Sequence, residues 1–192
     1  MRGGERRAGP VRVLGVDPGT AVTGWGVVER RDGAVVHLAH GGLSIAPRQS
    51  QVAKLSAIHA VLLDLCRHWR PDVLALEQSF VGRNVQSAFR LGEVRGVAML
   101  AASASGIPVA EYAPATIKLA VTGTGRGEKE QVQRAIMQEL RLTERMTPDA
   151  ADALAIALCH LHTSHLRTLL ADAVAPGRRP RSRSSRVLQV VR

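Results

Sequence analysis

The chain has 192 residues, of which 45% are hydrophobic and 22% are charged. These are the proportions of an ordinary globular protein, and they exclude a disordered, collagen-like or disulfide-stapled chain. A chain of this length is sufficient for one large hydrophobic core. Phe, Trp and Tyr together number only five, so we expect this core to consist of Ala, Val, Leu and Ile.

The net charge of +10 is concentrated at the two ends of the chain. Residues 1–12 contain four Arg and one Glu, and residues 176–192 contain six Arg and no acid, which gives +3 and +6 and leaves +1 for the body. Arg-rich ends favour binding to a polyanion. The alternative is that these ends are disordered and only increase solubility, because their Gly, Pro and Ser context is typical of such segments. We expect one domain over 11–171, with disordered basic extensions at 1–10 and 172–192.

The sequence predicts a cytoplasmic protein without a membrane segment. Its two longest uncharged stretches, 33–47 and 96–110, are 15 residues long and both contain proline. The basic N-terminus is not followed by the apolar stretch of a signal peptide. Cys66 and Cys159 fall far apart inside apolar helical patterns, where buried, reduced thiols are expected rather than a disulfide.

The first part of the chain has the pattern of three short strands joined by tight turns. Residues 11–17 form an apolar, β-branched run that ends before a Pro-Gly pair, and a second run covers 23–29. An Asp-Gly pair then predicts a hairpin turn into a third strand over 34–40. Such short connections require the three strands to be antiparallel neighbours.

The rest of the chain alternates between helical patterns and short strands. Apolar residues three and four apart predict a helix over 51–69, and the apolar run 73–77 predicts a strand parallel to an earlier one. The remaining elements are a helix over 84–105, a strand over 109–112, and helices from 114, over 128–140 and from 148 to about 170. This order predicts an α/β fold: a mixed five-stranded sheet, three antiparallel strands followed by parallel strands, flanked by helices.

Four carboxylates occupy positions where burial would be costly without a cation. Asp17 ends the first strand, and Glu77 ends the fourth. Asp149 and Asp152 lie three residues apart on one face at the start of the last helix. Each alone is explained by exposure at a strand end or by the helix dipole. If the last helix packs beside these strands, the four acids converge, and such oxygen ligands suit Mg²⁺, two ions of which can activate water for phosphodiester cleavage.

Four motifs occur in this order along the chain: GVDPGTAVTGWGVVE, LEQSFVGRNVQSAFRLGEVRGVA, EYAPATIKLAVTGTGRGEKEQVQ and PDAADALAIA. In order and spacing they resemble the segments of the RuvC family of Holliday-junction resolvases, which have an RNase H-like fold. The resemblance covers about residues 13–165 and leaves both ends of the chain unmatched. It is specific because four separate motifs agree.

The resemblance implies a homodimeric, structure-selective DNA endonuclease that makes paired symmetric nicks in four-way junctions during homologous recombination and DNA repair. It implies cleavage that leaves 5′-phosphate and 3′-hydroxyl ends, and cooperation with the RuvA and RuvB branch-migration proteins. It also implies two Mg²⁺ ions per subunit, replaceable by Mn²⁺. The four acids that match the family's catalytic, metal-binding residues are Asp17, Glu77, Asp149 and Asp152.

Five further residues gain DNA-contacting roles from the resemblance. Phe80 matches an aromatic residue on a loop near the cut strand, where it can stack on an unpaired base; packing at a helix start is the alternative. Lys118 and Lys129 match DNA-contacting lysines, and Lys129 begins a helix, where backbone N–H groups also favour phosphate. Solvated side chains are the alternative for both lysines. Arg83 and Arg126 are further candidates for phosphate contacts.

The helix predicted over 84–105 carries Gly92, Gly96 and Ala98 and has apolar residues on more than one face. This pattern favours a second packing partner, and the resemblance implies that the helix contributes to a dimer interface. Burial within its own domain is the alternative.

Three histidines near the C-terminus, His160, His162 and His165, suggest a metal cluster by composition. Their positions on a helix point apart, so we expect no such cluster. We interpret them as residues near a helix C-terminus, where the dipole favours them.

Two other functions fit part of the sequence. An ATPase of the actin and sugar-kinase type also places an acid and a Gly-Thr turn after a strand, but it needs two lobes and a second phosphate loop. The glycine run 123–127 is followed by Glu128, so the P-loop pattern GxxxxGK[ST] is absent. A noncatalytic junction-binding module has no use for a bare carboxylate cluster beside DNA phosphates, so a nuclease is the better interpretation.

Overall fold

The computed structural model describes residues 9–44, 49–78, 85–124, 128–144 and 146–174, with side chains described as far as residue 166. The strands in this part of the chain are β1 (Val11–Asp17), β2 (Val22–Arg31), β3 (Ala34–Ser44), β4 (Val73–Glu77) and β5 (Val109–Tyr112). The helices are α1 (Gln51–Trp69), α2 (Val85–Ala104), α3 (Pro114–Thr122), α4 (Lys129–Glu139) and α5 (Pro148–Val174).

The five strands form one mixed sheet with the order β3-β2-β1-β4-β5. β2 is antiparallel to β1 and β3, whereas β4 runs parallel to β1 and β5 runs parallel to β4. The predicted α/β fold is therefore confirmed. The predicted hairpin turn is confirmed as well, because Asp32 and Gly33 have φ angles of 51° and 83°, the left-handed pair that a two-residue hairpin turn requires.

Helices cover both faces of the sheet and form two hydrophobic cores. On one face, α3, α4 and α5 pack against Val13, Val28 and Ala75. On the other face, α1 and α2 pack against alternate residues of the same strands, among them Leu14 and Leu76. Since successive strand residues point to opposite faces, strands covered on both sides are continuous apolar runs, as β1 and β4 are.

Helix α5 lies against β1 and β2 and is buried along most of residues 150–161. It approaches these strands closely because glycines face it. A Cβ atom added at Gly15 would lie 2.1 Å from the carbonyl oxygen of Ala153, and one at Gly24 would lie 2.0 Å from that of Asp149. Real Cβ atoms essentially never come within 3.0 Å of another heavy atom, so only glycine permits this packing.

Some predicted boundaries differ from the structure. Strand β3 continues to Ser44 because it pairs with β2 along its whole length, past a bulge next to Val28. Helix α5 continues to Val174, beyond its predicted end and beyond the predicted domain limit at 171. Arg12 is counted with the basic N-terminal end in the charge balance, but its guanidinium lies 2.6 Å from the buried carboxylate of Glu29 and belongs to the folded domain.

Among the described helices, none is long and apolar enough to cross a membrane. Cys66 and Cys159 are both buried and unpaired, as the sequence predicts. Most of the two predicted basic extensions, residues 1–8 and 175–192, lies outside the described residues.

Candidate active site

Asp17 and Glu77 lie at the same edge of the sheet. β1 and β4 are parallel neighbours with Val16 opposite Leu76, so the next residue of each strand ends it at the same level. Both of these acids are half-buried. The structure thus brings the two strand-end acids together.

The start of α5 brings the other two acids to this edge. Gly24 pairs with Asp17 across β1 and β2, and it also contacts the backbone of Asp149. The missing side chain at Gly24 therefore lets the first turn of α5 lie over the end of β1. Asp152 follows one turn later and lines the same cleft as Glu77.

Neighbouring acids disfavour the ionisation of Asp17 and of Glu77. Burial, followed by the negative charges of Asp152, Glu77 and Asp149, raises the pKa of Asp17 to about 7, and Lys129 opposes this only partly. Burial and the charge of Asp152 also raise the pKa of Glu77. Acids with such raised pKa values in a cluster are typical of functional sites and not of single strand-end residues facing water.

A cleft of about 250 Å³ opens beside Glu77 and Asp152. Lys118 from α3 and Lys129 from α4 line it, together with apolar residues of α3, α4 and α5. The Lys129 ammonium lies 3.2 Å from the Asp152 carboxylate, and these side chains are 64% and 39% exposed. The cleft therefore places two positive side chains beside the acids, an arrangement that suits a phosphate group together with a cation.

The N-terminus of α4 differs from the predicted phosphate position. Lys129 begins the helix, but Glu128 forms a capping box with Gln131. The Glu128 side chain accepts the backbone N–H of Gln131, and the Gln131 side chain accepts the N–H of Glu128 at 3.2 Å. The Glu128 carboxylate therefore already accepts one of the N–H groups at this helix start that a phosphate could use.

The donor set fits a hard divalent cation, although the side chains as they stand do not enclose one. Carboxylate oxygens are the ligands that Mg²⁺ prefers, and a cation would relieve the repulsion that raises the pKa of Asp17. Among the described residues, no group of three or more His, Cys, Asp or Glu side chains is arranged to hold a metal ion. Asp152 is paired with Lys129, whose ammonium lies near one of its two carboxylate oxygens.

Three of the predicted DNA-contacting residues, Phe80, Arg83 and Arg126, lie outside the described residues. Of that predicted set, the structure describes the two lysines that line the cleft.

Within the described part of the chain, the histidines of α5 are not arranged to hold a metal ion. Their interpretation as residues near a helix C-terminus is wrong, because the helix continues to residue 174. The Tyr112 hydroxyl lies 2.8 Å from Nδ1 of His160, and Nε2 of His162 lies 2.7 Å from the Glu139 carboxylate. These two histidines therefore connect α5 to β5 and α4.

The sequence analysis missed the glycines that place α5. Gly15 and Gly24 lie on either side of Asp17 in the first motif, GVDPGTAVTGWGVVE. A glycine inside a strand indicates close approach of another backbone, and this signal was available. The identity of the approaching helix is not contained in the local sequence.

The strand order and the flanking helices define an RNase H-like α/β domain, and a group of acids lies at one edge of its sheet. Residues 13–160 match the family model described as crossover junction endodeoxyribonuclease RuvC. The chain belongs to the RuvC family. Family membership also decides between a nuclease and the ATPase alternative.

Individual relatives agree with this assignment. The chain is 42% identical over 164 residues to the crossover junction endodeoxyribonuclease RuvC of Pelobacter propionicus, which covers 85% of this chain and 93% of that protein. The protein of the same name from Geobacter sulfurreducens is 39% identical over 160 residues, which cover 83% of this chain and 98% of that protein.

Solved structures show the same similarity in three dimensions. Thermus thermophilus RuvC has a TM-score of 0.76 and 31% identity, covering 82% of this chain and 98% of that chain. The structure of the same protein in complex with a Holliday junction substrate has a TM-score of 0.75 and 30% identity, with the same coverage of both chains. The yeast mitochondrial Holliday junction resolvase Ydc2, at 0.61 and 14% identity over 85% of each chain, shows similarity of fold alone.

Proposed function

We propose that this protein is a crossover junction endodeoxyribonuclease that resolves Holliday junctions in homologous recombination and DNA repair. Family membership supports the proposal. The observation that carries it is the gathering of three other carboxylates around Asp17 at one edge of the sheet. Acids that raise the pKa of Asp17, beside a cleft lined by two lysines, call for a cation and fit the hydrolysis of a phosphodiester. The products are a pair of symmetric nicks with 5′-phosphate and 3′-hydroxyl ends.

The four acids Asp17, Glu77, Asp149 and Asp152 are the proposed ligands of two Mg²⁺ ions, which Mn²⁺ can replace. When bound, such ions activate a water molecule and stabilise the leaving oxygen. Asp17 interacts with each of the other three acids, which makes it the best candidate for a ligand shared by both ions. Because its pKa is about 7 without metal, it is partly protonated at neutral pH, and cation binding displaces that proton.

Lys118 and Lys129 are proposed to contact phosphate groups of the cut strand. Both line the cleft beside Glu77, which supports this role. The ion pair of Lys129 with Asp152 is partly exposed, so its cost of breaking is small. Lys129 can therefore exchange the carboxylate for a phosphate oxygen when Asp152 holds a cation.

Residues outside the cleft extend the proposed DNA interface. Phe80 is proposed to stack on an unpaired base of an opened junction, and Arg83 and Arg126 are proposed to contact phosphates. The Arg-rich extensions, 1–10 and 172–192, flank the single nuclease domain. They are proposed to add nonspecific phosphate contacts, which would make binding more dependent on salt.

Helix α2 is proposed to form a homodimer interface. Its outer surface carries Val85, Phe89, Gly92, Gly96 and Leu100, which are spaced three and four residues apart and which we name the α2 stripe. Ala98, grouped with the two glycines in the sequence, is buried in the core of its own domain instead. The three larger members are 60%, 72% and 59% exposed, and no described atom lies within 4 Å of a Cβ added at either glycine. Glycines permit close approach of a second helix. A twofold-symmetric dimer would supply two active sites for two cuts.

Cooperation with the RuvA and RuvB branch-migration proteins is proposed on family membership alone. A cytoplasmic location is also proposed, and the two buried, unpaired thiols support it because they fit a reducing compartment.

A cleavage assay on a labelled synthetic four-way junction with branch-migrating homology tests the proposed function. We expect symmetric, ligatable nicks in the junction and none in linear duplex, and only when Mg²⁺ or Mn²⁺ is present. Glu77→Gln and Asp17→Asn should bind the junction without cutting it. Asp64→Asn, a matched change at an α1 side chain that is 76% exposed, should cut normally. Binding without cutting by the unaltered protein under every metal tried would instead identify a noncatalytic junction-binding module.

A further inference from the structure

Arg95 on α2 contacts the end of a strand that carries one of the proposed metal ligands. Its Nη1 donates a hydrogen bond to the main-chain carbonyl oxygen of Glu77, and its Nη2 lies 2.7 Å from Oε1 of Glu111. The Arg95 side chain is only 15% exposed, and that of Glu111 is 34% exposed. A guanidinium this well shielded from water makes charge-assisted hydrogen bonds of the stronger kind.

The two contacts bridge the ends of β4 and β5. Glu77 is the last residue of β4 and pairs with Tyr112, the last residue of β5, which follows Glu111. The parallel ladder closes just beyond this point, where the N–H of Gln78 donates to the Tyr112 carbonyl oxygen at 2.8 Å. Arg95 therefore attaches this end of the sheet to α2.

The guanidinium acts from the face of the sheet opposite to the cleft. The Glu77 side chain lines the cleft on the side of α3, α4 and α5. Arg95 comes from α2, which packs on the other face, and it is not one of the described residues that line the cleft. Its contact with the site is through the main-chain carbonyl oxygen of Glu77.

We propose that Arg95 is a positioning residue for cleavage, which fixes the end of β4 so that the Glu77 carboxylate is held toward Asp17 and Asp152. This inference rests on the proposed role of Glu77 as a cation ligand. A planar guanidinium with two partners restricts the strand end more than the ladder alone. Restriction of this kind affects rate, because a displacement of about 1 Å can lower a rate by ~100-fold.

Three variants of the full-length protein test the proposal: Arg95→Met, Arg95→Lys and the control Arg67→Met. Methionine keeps an unbranched apolar side chain but removes both donors, whereas lysine provides a point charge that cannot span two acceptors as a guanidinium does. We expect Arg95→Met to lower the single-turnover cleavage rate at saturating enzyme by about tenfold or more, and Arg95→Lys to be intermediate. Arg67→Met removes an exposed ion pair with Asp64 and should cleave normally.

Two readouts separate positioning from loss of stability or of DNA binding. Junction affinity in the presence of chelator should change by less than about twofold in all three variants. In Arg95→Met the Gln78 amide should exchange its hydrogen roughly tenfold faster, while the Leu74 amide at the start of β4 keeps its protection. If Arg95→Met does not fold, Arg95→Lys provides the test with the same measurements.

Three results would contradict the proposed role of Arg95 or the proposed function of the site. A uniform increase in exchange along β4, with a normal cleavage rate well below the unfolding temperature, would mean that Arg95 is only structural and would overturn the proposal. If Glu77→Gln still cleaves, the proposed function of this site is wrong. If Glu77→Gln is inactive while Arg95→Met cleaves at the unaltered rate, the positioning role alone is overturned.

Discussion

At the scale of single residues, Asp17 has a strongly raised pKa. Its pKa is about 7 in the folded chain against 3.8 for the ordinary group, because of burial and then because of Asp152, Glu77 and Asp149. A group whose pKa is raised on folding destabilises the fold when it ionises. The cost is absent below pH 3.8, grows as the pH rises, and is complete above pH 7. The acid that serves the proposed chemistry therefore weakens the metal-free fold.

We expect Asp17→Asn to abolish cleavage and to stabilise the metal-free protein. The amide removes a charge that burial and three neighbouring acids disfavour, and the midpoint of thermal unfolding should rise by about 2–4 °C for each kcal/mol gained. The gain should be larger at pH 8 than at pH 5, because Asp17 is mostly protonated in the folded protein at pH 5. Calorimetry in the presence of chelator measures both values, and Asp64→Asn is the control. An equal gain at both pH values would contradict this explanation.

At the scale of elements, the site depends on how closely α5 approaches the sheet. Gly15 and Gly24 let the helix backbone touch β1 and β2, and this contact carries Asp149 to the end of β1. A larger residue at either glycine must push the helix away or bend the strand, since the atoms in the way are backbone atoms.

Gly24→Ala is expected to cost stability and to slow cleavage together. The new Cβ would lie 2.0 Å from the Asp149 carbonyl oxygen, so we expect a loss of about 3 kcal/mol in the free energy of unfolding, at the upper end for overpacking. Gly42→Ala is a matched control, because Gly42 pairs directly with Gly24 and its nearest obstacle is the Val22 side chain at 3.1 Å. Urea unfolding and the junction assay measure the two effects. Equal losses in both variants would mean that the contact with α5 is not the cause.

The parts of the site that the sequence predicted are those with local signals. Asp17 and Glu77 each end an apolar run, and the strand order follows from the short connections between the first strands. Arg95 has no such signal, because its partners Glu77 and Glu111 lie 18 residues before it and 16 residues after it, on two different strands. His160 was misinterpreted because the length of α5 depends on packing against the rest of the fold. Contacts between distant elements were therefore the features that sequence patterns did not predict.

The contact between α4 and α5 should make stability depend on pH in the same sense as Asp17, with stability falling as the pH rises. The hydrogen bond that His162 donates to the Glu139 carboxylate raises the pKa of His162 above its ordinary value of 6.5, and burial, which lowers the pKa, opposes this. Stability from a raised histidine is fully present below about pH 6.5 and is lost as the pH rises through the folded pKa. Glu139→Gln should therefore lower the free energy of unfolding by about 0.5–1 kcal/mol at pH 6 and by little at pH 9.

Urea unfolding at the two pH values measures this effect, and Glu130→Gln, an exposed acid on the same helix, is the control. If Glu139→Gln costs as much at pH 9 as at pH 6, the charge on His162 is not the source of the stabilisation.

At the scale of the whole molecule, the two faces of the sheet have different tasks. The face covered by α3, α4 and α5 contains the cleft, and the face covered by α1 and α2 carries the exposed α2 stripe. Arg95 connects them, because it lies on α2 and contacts the Glu77 backbone at the edge of the cleft. A partner that packs on α2 would therefore contact the helix whose Arg95 binds the backbone of Glu77, a proposed metal ligand. If α2 forms the proposed dimer interface, Arg95 would connect that interface to the end of the strand that carries Glu77.

Phe89→Glu is expected to convert the protein from a dimer to a monomer. Phe89 is the most exposed member of the α2 stripe, at 72%, and a twofold interface would place two introduced carboxylates in an apolar contact. We expect the dimer dissociation constant to rise at least ~100-fold, which light scattering after gel filtration detects.

Cleavage of the two junction strands should become uncoupled in Phe89→Glu, so that singly nicked junctions accumulate. Val52→Glu, at a residue of α1 that is 74% exposed, should remain dimeric and make paired nicks. A Phe89→Glu protein that stays dimeric, or an unaltered protein that is monomeric at micromolar concentration yet makes paired nicks, would place the two cuts under some control other than the α2 stripe.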